Sequence, residues 1–155
     1  MASWAEVVSA EPELASTVER MFAAGRHKTI ATLRADGSPR ISGIECEFVD
    51  GQLRFGSMAG ARKVADLQRD PRFALHGPTV DPVGEGADSW VGEAKIAGHA
   101  VHVGALVADD GIGPPGELFV ADVAELVVTR LDPTGSRLVI EWWTPDGGRR
   151  LVERD

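Results

Sequence analysis

The first half of the chain contains three short segments with the periodicity of β-strands, and the turns between them restrict the fold more than any other feature. The segments 29–33, 40–49 and 52–55 are separated by an Asp-Gly turn at 36–37 and by another at 50–51. Asp-Gly pairs favour tight reversals between antiparallel strands. The three segments therefore predict a β-meander.

Helical patterns precede the meander and follow it. Ser3 and Glu6 have the spacing of a capping box, and Pro12 suits the first turn of a second helix. Gly25 ends this N-terminal helical segment. A third helix is predicted from about residue 60 to residue 68, where an Asp-Pro pair follows that does not continue a helix comfortably.

The second half of the chain alternates again. The segments 77–89 and 105–116 are irregular, and further strands are predicted at 72–76, 91–103, 123–131, 138–144 and 149–154. The pattern predicts a single, mainly β domain over residues 1–155. It is an antiparallel barrel of six or seven strands, with N-terminal helices over residues 1–25 and one helix inserted after the third strand.

Composition excludes several classes of function. The formal net charge of -8 argues against a general nucleic-acid binder or a binder of anionic membranes. Cys46 is the only cysteine of the 155 residues, so neither an intrachain disulfide nor a cysteine-based zinc site is possible. No secretory signal and no apolar run of membrane-spanning length are present, so we expect a cytoplasmic protein.

The strand-to-helix turn within residues 53–67 is a candidate anion site. A helix start presents unpaired backbone N–H groups and a partial positive charge. Arg62 and Lys63 add two cationic side chains in the first turn of this helix. In a chain with an acidic balance, this local concentration of positive charge suits a small anion such as a phosphate.

Two more side chains fit the same anion. The meander is expected to bring Arg40 near the end of the third strand, within reach of Ser57. Together with the two cations of the helix start, these groups would form a phosphate clamp. The alternative is a solvated helix start whose cations pair with Asp66 and Asp70, and local spacing does not decide between the two.

The C-terminal hairpin offers a second candidate surface. Trp142 and Trp143 are adjacent in a predicted strand, so their rings point to opposite sides and at most one packs against its own sheet. The other is available to a flat ligand or an interface. No metal-binding spacing and no nucleophile motif occur, so neither a metal site nor a catalytic side chain is expected. Redox chemistry would require a bound cofactor.

These segments resemble the pyridoxamine 5'-phosphate oxidase family, the flavin-binding split barrels. The similarity extends from about residue 29 to residue 154. The resemblance implies a split β-barrel that forms a homodimer and binds two FMN molecules at the subunit interface.

The resemblance also implies a set of FMN-binding residues. Residues 36–41 resemble the family segment that contacts the FMN phosphate, and residues 55–63 resemble its phosphate loop. The C-terminal strands resemble the element that reaches the flavin of the second subunit. The implied cofactor-binding residues are Arg40, Ile41, Ser57, Ala61, Arg62, Lys63, Glu93, Trp143 and Arg154.

Several positions depart from the family pattern. Ala61 stands where the family usually has a serine, and Glu93 where a glutamine contacts the flavin ring. Arg150 matches an arginine that binds the substrate phosphate, but Val152 replaces the histidine beside it. Glu45 replaces a substrate-binding lysine. These departures argue against true pyridoxamine-phosphate oxidase activity.

The absence of the family's substrate-binding set from residues 105–117 supports the same conclusion. The leading hypothesis is a homodimeric, FMN-dependent oxidoreductase that acts on an unidentified small molecule. One alternative keeps the fold and uses an 8-hydroxy-5-deazaflavin coenzyme. Another is a non-catalytic protein that binds a flavin or haem, and a purely structural barrel remains the simplest possibility.

Overall fold

The computed structural model describes residues 1–84, 89–106 and 115–155. These residues form three helices and eight strands, numbered in chain order. The helices are α1 (Trp4–Ala10), α2 (Pro12–Ala23) and α3 (Arg62–Arg69). The strands are β1 (Lys28–Leu33), β2 (Pro39–Val49), β3 (Gln52–Met58), β4 (Arg72–His76), β5 (Glu93–Leu106), β6 (Gly116–Leu131), β7 (Leu138–Thr144) and β8 (Gly148–Arg154).

The two N-terminal helices pack against the barrel. Ser3 and Glu6 form the predicted capping box, and Pro12 occupies the first turn of α2. Trp4 is 2% exposed and lies 4.5 Å from the ring of Phe48, measured between ring centroids. Since the helices provide this buried aromatic contact, they are an integral part of the core.

Six strands close into an antiparallel barrel. Their hydrogen-bonded order is β3-β2-β1-β4-β5-β6, and pairing between β3 and β6 closes the ring. The first part of β6 pairs with β3, from Met58 opposite Gly116 to Arg54 opposite Val120. The later part pairs with β7 instead. The neighbours of β6 thus change along its length, which gives the barrel its split.

Alternating side chains fill the barrel interior. The ring of Phe55 lies 5.2 Å from that of Phe73 and 6.0 Å from that of Phe119, centroid to centroid. Ile30 and Ile96 are also fully buried. Every second side chain on these strands therefore faces outward, where it is available to a ligand or a partner.

Strands β7 and β8 form a ribbon beyond the barrel. Trp143 and Glu141 are buried on one side of β7, whereas Trp142 lies on the other side and is half-buried. Glu141 accepts hydrogen bonds from Arg130 at 2.6 Å and from Arg149 at 2.8 Å. From Arg149 onward, every residue of β8 is exposed in the single chain.

The predicted fold class is confirmed, with one difference in detail. Strand β6 begins at Gly116, whereas the sequence predicted a strand only from residue 123. Residues 107–114 and 85–88, which belong to the two predicted irregular segments, lie outside the described residues. In the part of the chain that the structure describes, no helix has both the length and the apolar character needed to span a lipid bilayer.

Candidate functional site

The start of α3 has the backbone features expected of an anion site. Gly60 adopts a φ of 79°, which lets the chain turn sharply between β3 and the helix. Ala61 is the N-cap and has no side-chain group to cap the helix. Among the described residues, the backbone N–H groups of Arg62 and Lys63 donate to no acceptor. These two groups are free to bind a ligand.

A cleft with a volume of about 650 Å³ lies beside this helix start, over the paired strands β2 and β3 and against the start of β6. Ser57 and Lys63 are at its wall, and Glu45 and Cys46 line it from β2. A Cβ atom on Gly56 would lie 2.7 Å from Cδ2 of Leu106, so a larger residue here would displace the Leu106 side chain at the edge of the hollow. We refer to this hollow as the β2–β3 cleft.

A second hollow, of about 320 Å³, lies against a different face of α3. Arg62, Asp66 and Arg69 point toward it because positions three, four and seven apart share one side of a helix. It is lined by Arg34, Ala35, Asp36, Arg40, Arg62, Ala65, Asp66 and Arg69. We call it the arginine pocket.

Asp66 is the centre of the arginine pocket. It is 3% exposed and accepts hydrogen bonds from Thr32 Oγ1 at 2.8 Å, Arg40 Nε at 2.7 Å and Arg69 Nη2 at 3.2 Å. Burial alone would raise its pKa, but the hydrogen bonds from Arg40, Thr32 and Arg69 outweigh burial and lower the pKa. Asp66 is therefore a charged carboxylate at neutral pH.

The structure does not bring the four predicted clamp residues into one hollow. Ser57 and Lys63 line the β2–β3 cleft, whereas Arg40 and Arg62 line the arginine pocket. Consecutive residues of a helix point about 100° apart, and this separates the side chains of Arg62 and Lys63. Lys63 donates from Nζ to the carbonyl oxygen of Gly43 at 2.9 Å.

The alternative was that the cations of the helix start pair with Asp66 and Asp70. In the structure these two acids pair with other arginines. Arg40 and Arg69 bind Asp66, and Arg72 binds Asp70 with an Nη2–Oδ2 distance of 2.6 Å. Hydrogen bonds from Arg72 lower the pKa of Asp70 to about 2. Among the described residues, neither of the two cations in the first turn of α3 pairs with an acid.

Glu93 is held by Lys95 and His76 and lines neither hollow. Its carboxylate lies 2.6 Å from Lys95 Nζ and 3.2 Å from His76 Nε2. Burial raises the pKa of Glu93, but Lys95 and His76 more than offset this, and the net pKa is lowered. A ligand that contacts Glu93 would therefore contact a charged carboxylate that already binds Lys95 and His76.

The predicted C-terminal residues divide between core and surface. Trp143 is 4% exposed and belongs to the hydrophobic core, whereas Trp142 occupies the opposite face of β7. Arg150 lies directly across from Trp142, and Arg154 lies across from Leu138. The two arginines are exposed, so the ribbon presents a half-buried tryptophan and two cations.

The outer face of the barrel carries a row of apolar side chains that sequence reasoning missed. Ile41, Ala31, Ala74 and Ala97 are successive cross-strand partners on β2, β1, β4 and β5. Direct partners in antiparallel strands share a face. Ile41 is 75% exposed because no helix of the described residues covers it. The row could be foreseen only from small apolar residues at outward-facing positions of four strands. Each strand contributes a single residue, so the pattern is weak in any one of them.

Comparison with known proteins supports the fold and the family. No curated protein sequence matches the chain significantly. A pyridoxamine 5'-phosphate oxidase-related, FMN-binding protein from Nostoc punctiforme PCC 73102 is 12% identical, with a TM-score of 0.65 over 94% of this chain and 96% of that one. The structure of PhzG from Burkholderia lata 383, in complex with tetrahydrophenazine-1-carboxylic acid, is 12% identical, with a TM-score of 0.63 over 97% of this chain and 92% of that one.

A third solved structure has the same fold. It is a heme-binding protein from Mycobacterium smegmatis, 12% identical, with a TM-score of 0.54 over 92% of this chain and 88% of that one. At these identities the structural likenesses establish the fold alone. The sequence profile of the pyridoxamine 5'-phosphate oxidase family matches residues 5–130, most of the chain. The chain therefore belongs to the pyridoxamine 5'-phosphate oxidase family.

Proposed function

We propose that the protein is a flavin-dependent oxidoreductase that binds FMN at the interface of a homodimer. The observation that carries this proposal is the cationic start of α3 with hollows on two of its faces. The β2–β3 cleft has the size typical of small-molecule sites, which measure about 300–1,000 Å³. FMN, when bound, supplies hydride and electron transfer, and the residues of the chain bind and orient it.

The phosphate end of FMN fits the charge around α3. The arginine pocket holds four arginines against Asp36 and Asp66, a formal excess of two positive charges. On the cleft side, Lys63 and Arg54 are matched by Glu45 and Glu47, so the cleft lining adds no formal excess of its own. A phosphate dianion would neutralise most of this excess and accept hydrogen bonds from the free N–H groups of the helix start. Ala61 contributes only its backbone.

The cleft disfavours the substrate of the family's named enzyme. Glu45 occupies the cleft wall, with its carboxylate 3.0 Å from Arg26 Nε and 3.9 Å from His27 Nδ1. An acid at this position repels a second phosphate, which pyridoxamine 5'-phosphate would bring into the site. We therefore infer a substrate other than pyridoxamine 5'-phosphate, with Arg150 of the ribbon as its candidate contact.

A second copy of the chain is the proposed partner. The apolar row that contains Ile41 and Ala74 lies on an uncovered sheet face. Exposed apolar patches of this kind are typical of protein interfaces. The exposed ribbon, with Trp142, Arg150 and Arg154, extends from the same sheet and would reach toward the flavin of the other subunit.

The first test is a titration of the purified protein with FMN. We expect saturable binding of one FMN per chain, seen as a change in the visible flavin bands and as quenching of flavin fluorescence. Two other ligands suit the same hollows and are scored in parallel. An 8-hydroxy-5-deazaflavin could use the same cations and has a single near-violet band, and haem could use His27 of the cleft wall and has a Soret band. A protein that binds neither FMN nor the deazaflavin contradicts the proposal.

Electron transfer separates an enzyme from a binding protein. Under anaerobic conditions, we expect NADH or NADPH to bleach the bound flavin, and an added oxidised acceptor to restore its colour. Flavin that binds tightly but stays oxidised with both donors would favour a storage or sensing role.

The homodimer is tested by placing a charge in the apolar row. Ala74→Arg is expected to convert the dimer to a monomer in sedimentation velocity, because it would bury an unpaired guanidinium in the interface. FMN affinity should fall at the same time, since each site would lose the ribbon of the partner. Ala10→Arg, at an exposed position of α1, is the matched control and should stay dimeric. A dimeric Ala74→Arg variant would place the interface elsewhere.

A further inference from the structure

Asp66 connects three separate elements at the arginine pocket. Its carboxylate is bonded to Thr32 of β1, Arg40 of β2 and Arg69 of α3. Arg69 also donates to the carbonyl oxygen of Leu33, at 2.5 Å. The buried acid therefore fixes two of the four guanidinium groups that surround the pocket.

The geometry at Arg40 leaves its other donors available. Arg40 binds Asp66 through Nε, and its two Nη groups bond to none of the described residues. A guanidinium that is anchored through one edge presents the remaining N–H groups in a fixed direction. In this structure Arg40 is one of the groups that line the pocket.

The surrounding charges explain why an anchor is needed. Arg34 and Arg62 form no close ion pair in the described part of the chain, and Asp36 is the one other carboxylate of the pocket lining, so together they leave a positive excess near Arg40. Like charges repel, and a free arginine side chain loses conformational entropy when a ligand orders it. A fixed counter-charge reduces both costs before the ligand arrives.

We infer that Asp66 is a positioning residue that holds Arg40 and Arg69 in the orientation needed to bind an anionic group. This inference rests on the proposed function, in which that group is the phosphate of FMN. Thr32 donates to the same carboxylate oxygen as Arg40, Oδ2, and helps to hold the carboxylate in place. Asp66 itself touches no cofactor and acts through the two arginines.

A purely structural role would have a different signature. Val64 and Leu67 also anchor α3, since both are buried in the core. If Asp66 only held the helix in place, its replacement would weaken the binding of any ligand of the cleft to a similar degree. A positioning role instead affects ligands that carry the phosphate.

The test compares FMN, riboflavin and inorganic phosphate on the full chain. Asp66→Asn keeps the shape of the side chain and removes its charge. We expect its FMN affinity to fall about tenfold, because Arg40 and Arg69 lose their anchor, and its riboflavin affinity to change less than twofold. Asp70→Asn is the matched control: Asp70 also pairs with an arginine but lies outside the pocket, so both affinities should stay the same.

A double-mutant cycle identifies the residue through which Asp66 acts. In an Arg40→Ala background, Asp66→Asn should have little further effect on FMN affinity, since the orienting contact is already lost. Additive effects would overturn the inference. If Asp66→Asn does not fold, Thr32→Val removes one hydrogen bond to the carboxylate without changing charge, and a smaller selective loss of FMN affinity is expected.

The outcomes separate this inference from the proposed function. If the wild-type protein binds FMN and Asp66→Asn binds it equally well or better, the inference fails and the proposed function stands. If the wild type binds inorganic phosphate in an Asp66-dependent way but not FMN, the proposed function fails and the positioning role stands. If it binds neither, both are overturned.

Discussion

Replacement of Gly98 by alanine is expected to destabilise the barrel by about 3 kcal/mol or more, a large share of the stability of a small domain. Gly98 lies at a register shift between β5 and β6. A Cβ atom at this position would lie 2.0 Å from the carbonyl oxygen of Asp122 and 3.1 Å from Cα of Val123. Both are backbone atoms, so a rotamer change cannot relieve the clash and the strands must separate.

Gly43 provides the matched control for this prediction. It also lies within a long strand, but a Cβ atom there would meet nothing within 4 Å. Gly43→Ala should therefore change the free energy of unfolding by less than about 1 kcal/mol. Urea denaturation followed by tryptophan fluorescence measures both variants. Equal urea midpoints of unfolding for the two variants would contradict the prediction and show that β5 and β6 can separate at Gly98 at little cost.

The same strand pair marks the limit of what local sequence predicts about the fold. The meander, the inserted helix and the C-terminal hairpin depend on neighbouring residues and turn signals, and all were predicted. The first part of β6, from Gly116 to Asp122, was not predicted. Its pairing with β3 joins segments about 60 residues apart in the chain, as Met58 opposite Gly116 shows. The local sequence of neither segment indicates that it pairs with the other.

The candidate site shows a similar limit at the level of side chains. Sequence reasoning identified the correct helix start and its two cations, but placed them in one clamp. The direction of each side chain depends on helix geometry, which directs Arg62 and Lys63 to different hollows. Adjacent tryptophans pose the same problem. Alternation predicted that at most one would pack against its own sheet, but only packing against the core selects Trp143.

The strongest prediction for ligand binding concerns the first turn of α3. The double variant Arg62→Ala with Lys63→Ala should lower FMN affinity by a factor of about 10²–10⁴, since each lost charge-assisted hydrogen bond costs roughly 1.5–3 kcal/mol. Riboflavin, which lacks the phosphate, should bind with unchanged affinity. Arg20→Glu, at an exposed position of α2 that lines neither hollow, changes the net charge equally and should leave FMN affinity within about twofold.

The corresponding single variants show which hollow receives the phosphate. Lys63 lines the β2–β3 cleft and Arg62 lines the arginine pocket. A larger loss in Lys63→Ala places the phosphate on the cleft side, beside Ser57, and a larger loss in Arg62→Ala places it next to Arg40. Similar losses are expected if the phosphate sits at the N–H groups of the helix start, where both side chains can reach it. If the double variant binds FMN as tightly as the wild type, the cationic helix start is not the phosphate site, and the proposed orientation of the cofactor is wrong.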